Sequence, residues 1–191
     1  MNKKGFTLIE LLAVIVILGM LLGIAIPRVS QYITKTRKDS FVSAAKLFID
    51  AVRDDATAEM YPLPVGNDEA TIVTLDKIKA EKDNEKSPFG GKFLYNKSYV
   101  VIVNVGTGSD PEYKYYFAAQ DSKDYAIPLT EESLLKSDLV IAKAKNKMEV
   151  TIQALCGTPE GVTSAYGSIS GLGSGFTATV FSTDKCGKTN D

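Results

Sequence analysis

Residues 6–26, which read FTLIELLAVIVILGMLLGIAI, decide the fold. Only Thr7 and Glu10 interrupt their apolar character. As a helix with a rise of about 1.5 Å per residue, this stretch would span about 31 Å, close to the ~30 Å hydrocarbon core of a bilayer. The stretch therefore predicts a membrane-spanning helix near the amino terminus.

Basic residues on both sides of this stretch bear on its orientation. Lys3 and Lys4 precede it, and because basic residues tend to stay cytoplasmic, they place the rest of the chain outside. A second basic group follows closely and opposes that orientation: Arg28, Lys35, Arg37 and Lys38. Such a group indicates a solvated face or a juxtamembrane anchor, and it could also contact DNA phosphates or anionic lipid headgroups.

An ordinary secretory signal is the alternative to a membrane anchor. Residues 23–25 would then be its small-x-small cleavage site. Glu10 argues against this interpretation, because moving an acid toward the bilayer centre costs about 2.5–3.5 kcal/mol on insertion scales. An acid in this position needs a partner or a function.

The helical pattern continues beyond the apolar stretch. Pro27 would kink or break a helix, yet residues 29–60 contain neither Gly nor Pro. Apolar residues recur there at the spacing of one helical face, at Phe41, Ala44, Ala45, Phe48 and Val52. We therefore expect one helix of about fifty residues, with a transmembrane part at 6–27 and an amphipathic continuation at 28–60.

The rest of the chain, residues 61–191, has the pattern of a β domain. Residues 61–64 end the helix, and residues 66–87 are expected to form a connecting loop with a short helix at 75–80. Strands are expected at 99–105 and 113–119 as a hairpin, at 125–127 before Pro128, at 149–155 and at 176–181, with helical turns at 131–136. The predicted fold class is α+β, with the long amino-terminal helix packed on an antiparallel sheet.

Composition argues against several functional classes. The chain has 22 Lys+Arg, 23 Asp+Glu and no His, so nucleic acid is not expected as the main partner and the commonest general base is missing. Phosphate loops, nucleophile elbows, zinc spacings and EF-hand patterns do not occur, and we expect neither enzyme activity nor a cofactor or metal. Two acidic groups could in principle bind a hard cation, although solvated acids are the simpler interpretation: Asp54, Asp55 and Glu59, and Asp121 with Asp124.

Residues 3–12, KKGFTLIELL, resemble the processing site of the type IV pilin superfamily, which includes pilins, type II secretion pseudopilins and competence pseudopilins. The resemblance implies that a prepilin peptidase cuts between Gly5 and Phe6, removing the leader 1–5, and that Phe6 is N-methylated. It also implies that Glu10 pairs with the amino terminus of a neighbouring subunit during assembly. A bond between Phe6 and Glu10 within one chain is the alternative, because they lie four residues apart.

The same resemblance implies a life cycle and a set of partners. The subunit waits in the cytoplasmic membrane with its domain outside and then polymerises with copies of itself into a surface filament. Its partners are the peptidase and N-methylase, an inner-membrane assembly platform, minor pilins, and the lipid bilayer before assembly. Gly19 and Pro27 match positions where helices of the family lose regular hydrogen bonding in filaments, although Gly19 with Gly23 could be incidental membrane glycines.

Pilus and pseudopilus remain open at this point. Residues 87–90, SPFG, are similar to the Asp-Pro-Trp-Gly segment of major pseudopilins, with Ser87 replacing the acid and Phe89 the Trp. The rival from another class is a membrane-tethered binding or catalytic domain. Such a domain would need a pocket constellation that the sequence does not display.

Cys156 and Cys186 are the two cysteines, and they enclose a Gly- and Ser-rich stretch at 161–175. They are compatible with one disulfide if the domain lies outside the cytoplasm. The resemblance implies a carboxy-terminal disulfide loop of this kind, at 156–186. Two free thiols are the alternative.

Overall fold

The computed structural model describes residues 7–66, 69–75, 77–78, 86–94, 97–142, 162–169 and 173–181, the last two as backbone. The chain forms two compact units, Met1–Arg37 and Lys38–Asp191. Helix α1, Leu8–Thr57, has 50 residues and includes Pro27. This confirms the prediction of one long helix.

Six strands form one sheet, in the order β4-β3-β2-β1-β6-β5. Neighbouring strands pair in antiparallel fashion from β4 to β1 and again between β6 and β5. The β1 and β6 strands pair in parallel, which the sequence did not predict. The strands are β1 Glu69–Thr74, β2 Tyr99–Asn104, β3 Tyr113–Gln120, β4 Ala126–Glu131, β5 Val162–Ile169 and β6 Gly173–Phe181, with 3-10 helices at Glu132–Leu134 and Ser137–Leu139.

The core of the second unit lies between α1 and one face of the sheet. Helix residues three and four apart share a face, and strand residues two apart share a face, so both patterns meet in one apolar layer. The α1 residues in this layer include Phe41, Ala45, Phe48, Ile49 and Val52, and the strand residues include Val73, Val100, Ile102, Phe117 and Ala119. The α+β fold class is confirmed.

Aromatic rings form a continuous series of contacts through this core. Successive centroids along the first five rings are 4.9–6.1 Å apart, within the range of favourable aromatic pairs. The last two rings stack in parallel with centroids 3.5 Å apart. The series runs Phe117, Phe48, Phe93, Phe41, Phe89, Tyr125, so it joins β3, α1 and the loop before β2.

Arg53 links α1 to β3 through an aromatic ring and to the 3-10 helix after β4 through an ion pair. Its guanidinium lies 2.5 Å from the carboxylates of both Asp50 and Glu132, and 4.6 Å from the ring centroid of Tyr115. Burial raises the pKa of the Tyr115 hydroxyl, and the positive charge of Arg53 opposes that rise. The planar guanidinium serves both interactions at once, which an ammonium group could not do as well.

The β4 edge of the sheet is closed to further pairing in two ways. Pro128 lies within β4 and has no backbone N–H to donate. Ala126 exchanges two backbone hydrogen bonds with Ile141, of 3.0 and 2.8 Å. Both devices are typical of protected edge strands.

Several local expectations differ from the structure. The predicted connecting loop contains β1, and Leu75 and Lys77 lie in a turn and not in the expected helix at 75–80. The strand expected at 125–127 continues through Pro128 to Glu131, because an edge strand tolerates a missing donor.

The carboxy-terminal part contains one strand that the sequence did not predict, and one predicted strand lies outside the described residues. The Gly- and Ser-rich stretch contains β5, and β6 includes the strand expected at 176–181. The strand expected at 149–155 lies outside the described residues.

Candidate functional site

The amino-terminal end of α1 is organised by a reciprocal pair of hydrogen-bonded side chains, Thr7 and Glu10. The Thr7 N–H and hydroxyl both donate to Glu10 Oε2, each at 2.8 Å. The Glu10 N–H donates to Thr7 Oγ1 at 3.3 Å, and the Thr7 carbonyl accepts from Leu11 N–H at 3.3 Å. This arrangement is a capping box, in which two otherwise unsatisfied donors of the first helical turn find acceptors.

Sequence reasoning missed this role of Thr7, although the signal is present. Thr-x-x-Glu directly before an apolar helix is the spacing of a capping box. The resemblance directed attention to Glu10 and Phe6, and Phe6 lies outside the described residues, as does Gly5. The structure therefore places Glu10 against Thr7, and the pairing of Glu10 with Phe6 stays a prediction.

The two oxygens of the Glu10 carboxylate differ in the hydrogen bonds that they accept. All the hydrogen bonds that Glu10 accepts from the described residues go to Oε2. A carboxylate has about four lone-pair positions, so Oε1 can still accept a donor from another molecule while the cap stays intact.

The apolar half of α1 is uncovered in the isolated chain. Large apolar side chains from Leu8, which is 83% exposed, to Ile26, which is 63% exposed, face outward all around the helix. Within the described residues, α1 is long and apolar enough to cross a membrane, and its most apolar window is not buried. Exposed apolar area of this size is unfavourable in water, so lipid or other copies of the chain must cover it.

Gly19 and Pro27 both lie within the unbroken helix of the isolated chain. A Cβ added at Gly19 or Gly23 would meet nothing within 4 Å. The surface around both glycines is therefore open to close approach by another backbone.

One of the acids considered for a cation, Asp121, has hydrogen-bond donors as its partners. Among the described residues, no group of three or more acids, His or Cys could hold a metal ion. Asp121 is fully buried and accepts from the Ser87 hydroxyl and from the N–H groups of Lys123 and Tyr125, at 2.9 and 2.8 Å for the latter two. Its oxygens therefore face donors, so Asp121 stabilises a turn.

Cys156 and Cys186 both lie outside the described residues. The disulfide stays a prediction.

A long helix with an uncovered apolar half and a carboxylate in its first turn, together with a half packed on a sheet, defines the pilin-like class of membrane-anchored subunits. The family described as the prokaryotic N-terminal methylation motif matches residues 1–26. The type IV major fimbrial protein FimA of Dichelobacter nodosus is 34% identical over 135 residues, covering 56% of this chain and 84% of that protein. The chain therefore belongs to the type IV pilin family.

Two further relatives match a shorter region. The type IV major alpha-pilin and fimbrial protein Q, both of Moraxella bovis, are each 48% identical over 52 residues, covering 26% of this chain and 33% of each relative. No solved structure matches the chain.

Proposed function

We propose that this protein is a structural subunit of a type IV pilus that polymerises through residues 6–27 after cleavage following Gly5 and N-methylation of Phe6. The uncovered apolar half of α1, with Glu10 in its first turn, carries this proposal. The fimbrial names of the relatives favour a pilus over a secretion or competence pseudopilus. The role is structural, and the chemistry of maturation is performed on the chain by the peptidase and methylase.

Glu10 guides docking in this proposal. In a bundle of apolar helices, the carboxylate of Glu10 and the amine of a neighbouring Phe6 both lose their water, and an unpaired buried charge costs several kcal/mol. Glu10 Oε2 holds the cap of its own helix, while Oε1 receives the neighbouring amine. One residue thus fixes the helix start and selects the register of the next subunit.

The rest of the proposal concerns the subunit before and after assembly. The chain is anchored in the cytoplasmic membrane with residues 61–191 outside, and these residues form the filament exterior, where Cys156 and Cys186 are joined. Gly19 and Pro27 let the helix loosen locally when it packs in the filament, because Pro27 removes one backbone donor and Gly lowers the cost of leaving the helix. The assembly platform and minor pilins act on this anchored form.

Two substitutions at Glu10 separate its charge from its capping role. Glu10→Gln keeps an oxygen that can accept from Thr7 but has no charge, whereas Glu10→Ala removes both. We expect both variants to insert in the membrane and to lose the leader, as measured by intact mass, and both to be absent from filaments sheared from the cells. Normal filaments from Glu10→Gln would contradict the docking role of the charge.

A third variant controls for the cap alone. Thr7→Val removes the hydroxyl, and with it two of the three bonds of the cap, while the charge of Glu10 and the Thr7 N–H position stay. We expect filaments to persist at a reduced yield. If Thr7→Val abolishes filaments as fully as Glu10→Gln, the cap and not the charge is the essential part of the site.

A further inference from the structure

We propose that Arg28, Lys35 and Arg37, named here the basic band, bind the anionic phospholipid headgroups of the outer leaflet while the subunit waits in the membrane. The inference uses the membrane anchoring of the proposed function and does not depend on polymerisation. It assigns a lipid partner to residues that the docking site at Glu10 does not use.

The basic band is a segment of one charge sign. No Asp or Glu occurs between Glu10 and Asp39, so the three cations lie in a run of one charge sign, which Asp39 ends two residues after Arg37. All three are exposed, and within the described part of the chain none of them forms an ion pair. Lys38, the next basic residue, is half-buried and is not included in the band.

The position of Arg28 along α1 matches the headgroup layer, and Lys35 and Arg37 follow on the aqueous side of that layer. If Ile26 marks the edge of the hydrocarbon, a rise of about 1.5 Å per residue places Arg28, Lys35 and Arg37 about 3, 14 and 17 Å beyond it. Headgroups extend about 5–7 Å beyond the hydrocarbon on each side. Arg28 then lies among the phosphates, and Lys35 and Arg37 lie within about one Debye length of them, ~10 Å at 0.1 M salt.

Tyr32 supports this placement. It is 72% exposed and lies four residues after Arg28 and three before Lys35, so all three share one face of the helix. Tyr and Trp are enriched at membrane interfaces because their rings are amphipathic. A tyrosine with a cation on each side along one helix face is therefore typical of a segment at a membrane interface.

Anionic lipid also resolves a conflict in the charge pattern. Cations outside the membrane oppose the orientation that Lys3 and Lys4 favour, and Lys3 and Lys4 are lost with the leader. Anionic headgroups beside the basic band would offset that opposition. Acidic residues of a second copy of the chain carry the same negative charge as anionic lipid. The experiment has to distinguish a second copy from lipid.

A fluorescent reporter can be placed within the band. The chain has no Trp, so Tyr32→Trp gives a single tryptophan in the full-length protein, which can be excited selectively over the tyrosines. The protein is reconstituted at high dilution in vesicles of phosphatidylcholine and phosphatidylglycerol, and one lipid at a time carries bromine, which quenches Trp. Comparing the two quenching curves gives the relative binding constant of the anionic lipid at the sites beside residue 32.

We expect the anionic lipid to be favoured about fivefold, the effect of roughly one Lys or Arg contact at an anionic surface. Replacing the band by Arg28→Gln, Lys35→Gln and Arg37→Gln should reduce the preference to about one. The matched control replaces the same number of exposed lysines in the domain, Lys92→Gln, Lys123→Gln and Lys136→Gln, and should keep the preference.

Three results would overturn the proposal. The first is a preference for the anionic lipid near one with the basic band intact. The second is a preference that stays unchanged in the variant without the basic band. The third is a loss of lipid quenching at higher protein density that occurs only when the basic band is intact. The last result would assign the band to a second copy. Glu10→Gln in the reporter background should leave the lipid preference unchanged, so failure of docking is distinguishable from failure of lipid binding.

Discussion

Asp121 and Tyr99 are both buried polar side chains in the domain, yet their hydrogen bonding is opposite. Asp121 accepts from one hydroxyl and two backbone N–H groups. The Tyr99 hydroxyl has no hydrogen-bond partner among the described residues. A buried polar group without a partner costs free energy, whereas a satisfied one contributes to stability, so substitution should act in opposite directions at the two residues.

Asp121→Ala should lower the free energy of unfolding by about 3 kcal/mol, because it leaves one buried and two part-buried donors without acceptors. Asp121→Asn should cost about 1 kcal/mol, since its oxygen can keep both backbone donors. Urea unfolding of the full-length protein in detergent measures both. Asp110→Ala, at an exposed acid of the β2–β3 turn, is the control, and equal losses from Asp110→Ala and Asp121→Ala would contradict the role of burial.

Tyr99→Phe should leave stability unchanged or raise it by up to about 1 kcal/mol, because it removes an unpartnered hydroxyl and keeps the ring. Burial raises the pKa of Tyr99 above its ordinary value of 10. Above pH 10 the unfolded chain therefore loses a proton that the folded chain keeps, and stability falls as pH rises. The alkaline part of the stability profile should be flatter for Tyr99→Phe, and a stability loss above 1 kcal/mol at pH 7 would reveal a missed partner.

At the residue scale, the sequence identifies what depends on neighbours along the chain. Glu10 is conspicuous within an apolar run, and the Thr7 cap has a local signal that was overlooked. Asp121 is different, because its Ser87 partner is 34 residues away and only the fold brings the two together. An acid in a polar turn therefore resembled a solvated residue or a cation ligand.

At the element scale, α1 was predictable because its length, its apolar stretch and its amphipathic continuation all depend on consecutive residues. Strand β1 was not, since its six residues lie in a polar region and depend on pairing with β2 and with β6, more than a hundred residues later. The β5 strand lies in a Gly- and Ser-rich stretch, where composition favours a loop. Long-range pairing overrides local propensity in both strands.

The β2–β3 turn provides a matched pair of glycine substitutions. A Cβ at Gly106 would overlap the backbone carbonyl of Asp110 and lie 2.5 Å from Glu112 N, whereas a Cβ at Gly108 would meet nothing within 4 Å. Gly106→Ala should therefore lower the free energy of unfolding by about 1–3 kcal/mol through forced backbone movement. Gly108→Ala should change it by less than about 0.5 kcal/mol.

Thermal unfolding followed by circular dichroism can compare the two variants. The Asn104 side chain holds this turn, because its Oδ1 accepts from Gly106 N and Glu112 N at 2.9 and 3.2 Å. A shift at Gly108→Ala as large as that at Gly106→Ala would mean that the close backbone approach at Gly106 is not what limits the turn.

At the scale of the whole molecule, the two units have different requirements. The core of the second unit begins at Phe41 and uses no residue of Met1–Arg37. A chain that starts at Lys38 should therefore be monomeric in water without detergent and should keep the cooperative unfolding of the domain. Sedimentation and thermal unfolding measure these two properties.

A shorter chain tests the role of α1 in that core. Starting at Ala58 removes the large apolar residues Phe41, Val42, Phe48, Ile49 and Val52. At about 1.5–3 kcal/mol each, their burial contributes about 8–15 kcal/mol, as much as the whole stability of a typical domain. We expect no cooperative unfolding from this chain, and a folded product would mean that the sheet has enough core of its own.

The closed edge of β4 becomes important where many copies of the domain are crowded together. In the proposed filament, copies of the domain stand side by side at a local concentration far above that of any solution, the condition under which bare strand edges template one another into cross-β aggregates. Pro128 and the Ala126–Ile141 bonds deprive β4 of the donors and acceptors that such templating needs. Along this edge, contact between subunits of the proposed filament is therefore left to side chains and to the helices, and the domains can stand close together without joining their sheets.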